Sequence, residues 1–103
     1  MTCSIRSWPS KDPQSNLPYW FDWTRWLAIE DRGEIDTFEL AIDEGDAALV
    51  IGDSARGDGA YAGFIMLWLS GGTEGAEYVV RCRVTLGDGS IEDGSRRLTI
   101  CSH

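Results

Sequence analysis

The sequence predicts an all-β protein, an antiparallel sandwich entered through an extended N-terminal arm. Three features carry that prediction. Residues 77–86 alternate without a break, with Tyr78, Val80, Cys82, Val84 and Leu86 on one side and Glu77, Val79, Arg81, Arg83 and Thr85 on the other. Successive side chains of a strand point to opposite faces, so this is a strand with one buried face. The neighbouring apolar runs are set off by residues 70–75 and 87–89, glycine-rich stretches of the kind that turn a chain tightly. All three prolines, Pro9, Pro13 and Pro18, fall near the N-terminus, where a fixed φ and a missing N–H exclude a central strand.

Residues 1–18 therefore read as the proline-rich arm and residues 19–103 as the sandwich domain. Trp8 and Leu17 within the arm need cover, either from the domain itself or, as the favoured reading, from a neighbouring subunit. Tyr19, Phe21 and Trp23 share one face of the first strand, with Trp20 and Asp22 opposite. Residues 24–28 form a single helical turn or a wide bend, capped by Thr24 or Asp22, with Trp26 and Leu27 plugging an open end of the sandwich. After a turn at 30–33, alternation resumes over 34–42 with Phe38, Leu40 and Ile42 inward. A turn at 43–46 leads to a short strand at 48–51, and 52–59 is a mobile loop by composition. Residues 64–69 are apolar on both faces, as in a strand covered on both sides or a surface that meets a partner. Trp68, on the parity of Phe64 and Met66, is the candidate central inter-sheet tryptophan. A last strand at 98–101 places Leu98 and Ile100 inward. Six or seven short strands at this spacing are what a sandwich requires.

At 103 residues and 43% hydrophobic content the chain supports one core. A net charge of −8 repels phosphate backbones. Arg81, Arg83, Arg96 and Arg97 are expected to pair across strands with Glu77, Glu92 or Asp93, so nucleic acid is not an expected partner. No apolar run approaches the roughly 20 residues of a membrane-spanning helix, and the N-terminus has no secretory apolar stretch. The expectation is synthesis in the cytoplasm without a membrane partner. Three cysteines, Cys3, Cys82 and Cys101, are too few and too widely spaced for a disulfide framework or a zinc site. Cys82 falls on the inward parity as a small core residue; Cys3 and Cys101 meet only if both termini join neighbouring strands.

Catalysis near neutral pH usually needs a histidine, and the single one is the terminal His103. The clusters Asp43, Glu44 and Asp46, Asp53 and Asp58, and Asp88, Glu92 and Asp93 are explained by turns, where Asp beside Gly is favoured. None has the spacing of a calcium loop, and residues 52–59 lack the ending of a phosphate-binding loop. No catalytic residue, cofactor or metal site is expected. What remains is binding through protein surfaces. Trp8, Pro9, Lys11, Asp12, Pro13 and Leu17 of the arm, with the outward Trp20, are the candidate partner contacts. Stacking of exposed Trp and Tyr on sugar rings is the lesser alternative.

Several stretches occur in a characteristic order: Lys11-Asp12-Pro13, Tyr19-Trp20-Phe21-Asp22-Trp23 with Trp26-Leu27, then Trp68-Leu69-Ser70-Gly71-Gly72-Thr73, Gly75 and Tyr78, Arg83-Val84, and Arg96-Arg97-Leu98-Thr99-Ile100. Together they resemble a family of small bacteriophage virion proteins described as fiber–tail adaptors. The resemblance implies an immunoglobulin-like sandwich and a non-enzymatic structural role in the virion. It also implies docking to tail, baseplate or fiber proteins and a homo-oligomer in the particle. A capsid decoration protein is the alternative with the same fold. Tyr78, entering a strand after a turn, also resembles the tyrosine corner of immunoglobulin-like domains. Residues 43–60 and the three cysteines stand outside the resemblance.

Overall fold

The computed structural model describes residues 6–28 and 33–102; Cys3, His103 and most of the turn expected at 30–33 lie outside them. The alternation at 77–86 becomes β6 (Glu77–Leu86), whose Tyr78, Val80, Cys82 and Val84 are fully buried. It runs antiparallel between β3 (Ile35–Glu44) and β7 (Ile91–Thr99), and β1 (Arg6–Ser7) adds to β7 in parallel. The second sheet contains β2 (Asn16–Asp22), β5 (Phe64–Gly71) and β4 (Leu49–Arg56), with β5 in the middle and every pair antiparallel. Tyr19, Phe21, Leu49, Ile65, Leu67 and Leu69 of this sheet bury against the inward row of β6 and Leu98 of β7. The two sheets form a sandwich.

Between β2 and β3 lies the short helix α1 (Thr24–Ala28). Asp22 holds its start, since Thr24 donates to Asp22 Oδ1 from its backbone N at 2.9 Å and from its hydroxyl at 2.5 Å. Trp26 and Leu27 pack half-buried on the core. On the outer face of the four-stranded sheet, Arg83 and Asp93 face each other in register and pair through two contacts of 2.8 and 3.1 Å. Arg81 reaches Asp43 at 3.3 Å.

Besides the bounds of β2, which takes in residues 16–18 of the expected arm, and of β7, which begins at Ile91 and so puts Glu92 and Asp93 in a strand and not a turn, two sequence expectations change. In β5 the inward row is Ile65, Leu67 and Leu69, all fully buried, which leaves Phe64, Met66 and Trp68 on the outer face. A run that is apolar at every position carries no parity of its own, so neighbouring strands decide it. Trp23 occupies the inter-sheet position instead. Its indole lies over Gly94 of β7, where a Cβ would stand 3.0 Å from the ring. Burial pushes the Cys82 thiol up to about 11. The second change concerns residues 52–56, which are strand: β4 runs on to Arg56 through a bulge between Ile51 and Ser54. Ladder pairing with β5 outweighs the loop-like composition. Only then does the 3-10 turn at Gly59–Tyr61 lead the chain toward β5.

The two connections at 45–48 and 72–76 each cross from one sheet to the other. Asp46 ties them together. Its Oδ1 accepts from the Tyr78 hydroxyl at 2.5 Å and the Ala48 N–H at 2.9 Å, and its Oδ2 accepts from the Thr73 hydroxyl at 2.7 Å. The Tyr78 oxygen in turn accepts from the Thr73 N–H at 2.9 Å, the bond pattern of a tyrosine corner. The hydrogen bonds from Tyr78, Thr73 and Ala48 hold the Asp46 carboxyl below the usual carboxylate range. Gly45, at φ +123°, lies against the Tyr78 ring so closely that a Cβ would stand 2.2 Å from it.

Gly45→Ala should therefore be far worse than Gly75→Ala, where φ is +82° but nothing lies within 4 Å. The expected losses in urea unfolding are about 3 kcal/mol or more against about 1 kcal/mol; equal losses would remove the Tyr78 contact as the cause. A second expectation concerns acid. A carboxyl with a depressed folded pKa contributes stability that is present above the unfolded value of about 3.9 and is lost as pH falls through the folded one. Asp46→Asn should melt lower than the parent at neutral pH yet lose less melting temperature between about pH 5 and about pH 2. Parallel acid profiles would show that Asp46 does not carry this dependence.

Candidate functional site

The two outer faces of the sandwich differ in kind. That of the four-stranded sheet presents Glu39, Asp43, Arg81, Arg83, Asp93 and Arg97, with the ion pairs already described. That of the three-stranded sheet is apolar. Register sets it in rows: Trp20 opposite Met66 opposite Ala55, Pro18 opposite Trp68, and Asp22 opposite Phe64. Trp20 is 53% exposed and Tyr61 68% exposed, and Tyr61 meets Phe64 edge-on with ring centroids 6.2 Å apart.

A groove of about 470 Å³ runs between these side chains, bounded by Trp20, Ala55, Tyr61, Phe64 and Met66 and by Arg56, Gly57 and Asp58 at its rim. Arg56 is committed elsewhere: its guanidinium donates to the carbonyls of Ile35 and Asp36. Asp58 stands exposed at the start of the 3-10 turn and makes no side-chain capping bond. Across Trp20 lies a second groove of about 420 Å³, shared by Trp8, Pro9, Pro18, Tyr19 and Arg96. Trp20 is the ridge between the two.

The arm residues read as partner contacts fare unequally. The domain itself covers Trp8, whose ring centroid lies 4.9 Å from Tyr19 and 5.1 Å from Phe21. The arm backbone follows β7, with Trp8 N donating to Arg97 O and Lys11 N to Thr99 O, each at 3.0 Å, and Cys101 N donating to Lys11 O at 2.8 Å. Lys11 is fully buried, so a partner cannot reach its side chain. Its ammonium donates to the carbonyls of Asp12 at 2.7 Å and Gly71 at 2.8 Å. Burial lowers its pKa and Asp12 partly offsets this. Asp12 and Pro13, half-buried, begin a turn closed by Ser15 N on Asp12 O at 3.1 Å, with Gln14 N on Asp12 Oδ1 at 2.8 Å. Pro13 fits its second position, where φ is already set. Pro9, Leu17 and Trp20 are exposed.

Sequence reading did not single out Ala55, Tyr61, Phe64 and Met66 as contacts. The signal that pointed to Phe64 and Met66 was the run at 64–69, apolar on both faces; Ala55 and Tyr61 carried none. Among the described residues no three His, Cys, Asp or Glu side chains converge as they would around a metal ion. The outer face of the three-stranded sheet thus leaves a largely apolar groove open to solvent.

A family model described as Podophage GP4 fiber-tail adaptor protein gp77 matches residues 11–99. The chain belongs to this family. None of the curated proteins compared with the chain matches it. The fiber-tail adaptor match opens at Lys11 and closes at Thr99, the two residues joined by the 3.0 Å backbone bond between arm and β7. Within this adaptor family match, the Lys11-Asp12-Pro13 stretch has an architectural explanation: a buried ammonium that links the arm to β5, followed at once by a turn.

Lys11→Ala would remove both ammonium hydrogen bonds and open a void. A loss of about 2–4 kcal/mol is expected in urea unfolding. Unchanged stability would return Lys11 to the surface as a contact residue.

Proposed function

We propose that the protein is a non-enzymatic podophage virion component that joins tail and fiber proteins by docking. The observation that carries this reading is the apolar outer face of β2, β5 and β4, with Trp20 and Tyr61 more than half exposed, on a domain whose opposite face carries two ion pairs. Large exposed aromatic side chains grouped around a groove are what an interface needs for its anchor residues. Membership in the fiber-tail adaptor family supports the same assignment. The adjoining Pro9 and Leu17 extend the contact along the arm, and several copies, arranged by the symmetry of the tail, form the joint.

The fold reading goes with it. The order β2-β5-β4 against β3-β6-β7 is the B-E-D and C-F-G order of an immunoglobulin-like sandwich, and Tyr78 stands where the tyrosine corner belongs. Such a block is rigid, and its sheet faces can be given over to partners.

The double variant Trp20→Ser, Tyr61→Ser should keep its melting behaviour, because both side chains are exposed. Its copy number per particle, measured by quantitative mass spectrometry, should fall to about a tenth or less of the parent's. Normal incorporation would overturn the docking face. A parent copy number on the scale of the major capsid protein would move the chain to the head as a decoration protein.

A further inference from the structure

We infer that the groove beside Trp20 receives an apolar anchor side chain flanked by lysine or arginine, supplied by a different protein and not by a second copy of this chain. This rests on the docking reading above and names the chemistry of the partner. The floor of the groove is Ala55, Phe64 and Met66, its walls Trp20 and Tyr61, and its rim charge Asp58. Asp22, whose pairing with Phe64 ends the β2–β5 ladder, adds a second exposed carboxylate beside the groove; its Oδ1 accepts from Thr24. The one cation at the rim, Arg56, is turned to the Ile35 and Asp36 carbonyls. What the face offers a partner is thus aromatic surface with negative charge at its border.

Charge complementarity selects the occupant. The chain carries −8 overall. A two-fold pairing centred on this groove would bring the Asp58 and Asp22 carboxylates of the two copies into one partly desolvated rim, where like charges repel. A basic flank on the incoming segment removes that conflict and uses both carboxylates. A sugar is a poorer fit, because orienting its hydroxyls needs several convergent polar groups and only Asp58 lines the groove uncommitted. The groove therefore suits an aliphatic or aromatic side chain seated against Trp20 and Tyr61.

The test places a benzophenone amino acid at position 61 of the full chain expressed during infection, with the same probe at Ile91 on the other sheet as a control. Particles are purified, irradiated and digested, and the crosslinked peptide is sequenced. The expected partner peptide comes from another virion protein and has Lys or Arg within about five residues of the crosslink. Asp58→Lys with Asp22→Asn should lower the yield per incorporated chain by about fivefold or more. A peptide of this same chain, an acidic or uncharged partner segment, a glycan adduct, or an unchanged yield in the charge variant would each overturn the inference. So would incorporation with no crosslink from position 61. Failure of the parent chain to enter particles would overturn the docking reading itself, and this inference with it; the other adverse outcomes leave that reading standing.

Discussion

The sandwich depends on one carboxylate–phenol contact. Two crossings between the sheets meet at one end, and a crossing is where a sandwich has no ladder to hold it. Asp46 in the first crossing and Thr73 in the second are joined through the Tyr78 hydroxyl. The buried Tyr78 ring thus fixes the start of β6, and β6 is the strand against which both β3 and β7 are registered. Gly45 is required because the ring occupies the space its side chain would take. Hydrogen bonds to the ionised carboxylate hold this end together, so protonation of Asp46 is expected to loosen it.

A second closure works on the same logic of buried polar groups with assigned partners. An ammonium removed from water is unfavourable unless its protons are used, and Lys11 directs its protons at two backbone carbonyls, one of them at the end of β5. The arm is thereby bound to both sheets, to β7 through its backbone and to β5 through this side chain. Trp8 completes the closure by lying over Tyr19 and Phe21. The arm consequently serves the domain's own core, and its exposed part is narrow.

With the interior closed in this way, β5 can be apolar on both faces without weakening the core. Its inward row fills the sandwich, and its outward row, joined by Trp20 and Tyr61, makes the face to which a docking function is assigned. The opposite sheet shows the contrast: its outer face carries the ion pairs Arg81–Asp43 and Arg83–Asp93, which interact weakly with one another and well with water. One face carries ion pairs, and the other leaves large aromatic side chains exposed.

How much of this was legible beforehand follows from which signals are local. The alternation of β6, the inward row Tyr19, Phe21 and Trp23, the single helical turn at 24–28 and the Arg83–Asp93 pair were all readable, because period and opposite charge are properties of short stretches. The buried state of Lys11 was not, since its partner carbonyl at Gly71 is sixty residues away. Nor was the parity of β5: in an unbroken apolar run either row can face inward, and only pairing with β2 and β4 chose Ile65, Leu67 and Leu69. That choice sent Trp68 outward and left the inter-sheet position to Trp23. It likewise turned residues 52–56 from loop to strand, because a ladder partner outweighs composition. Periodicity and composition alone carried the all-β class and the inward rows of β2 and β6. Which apolar residues are core and which stay exposed was set by the packing of the two sheets, because burial is a property of the neighbours a residue meets across them.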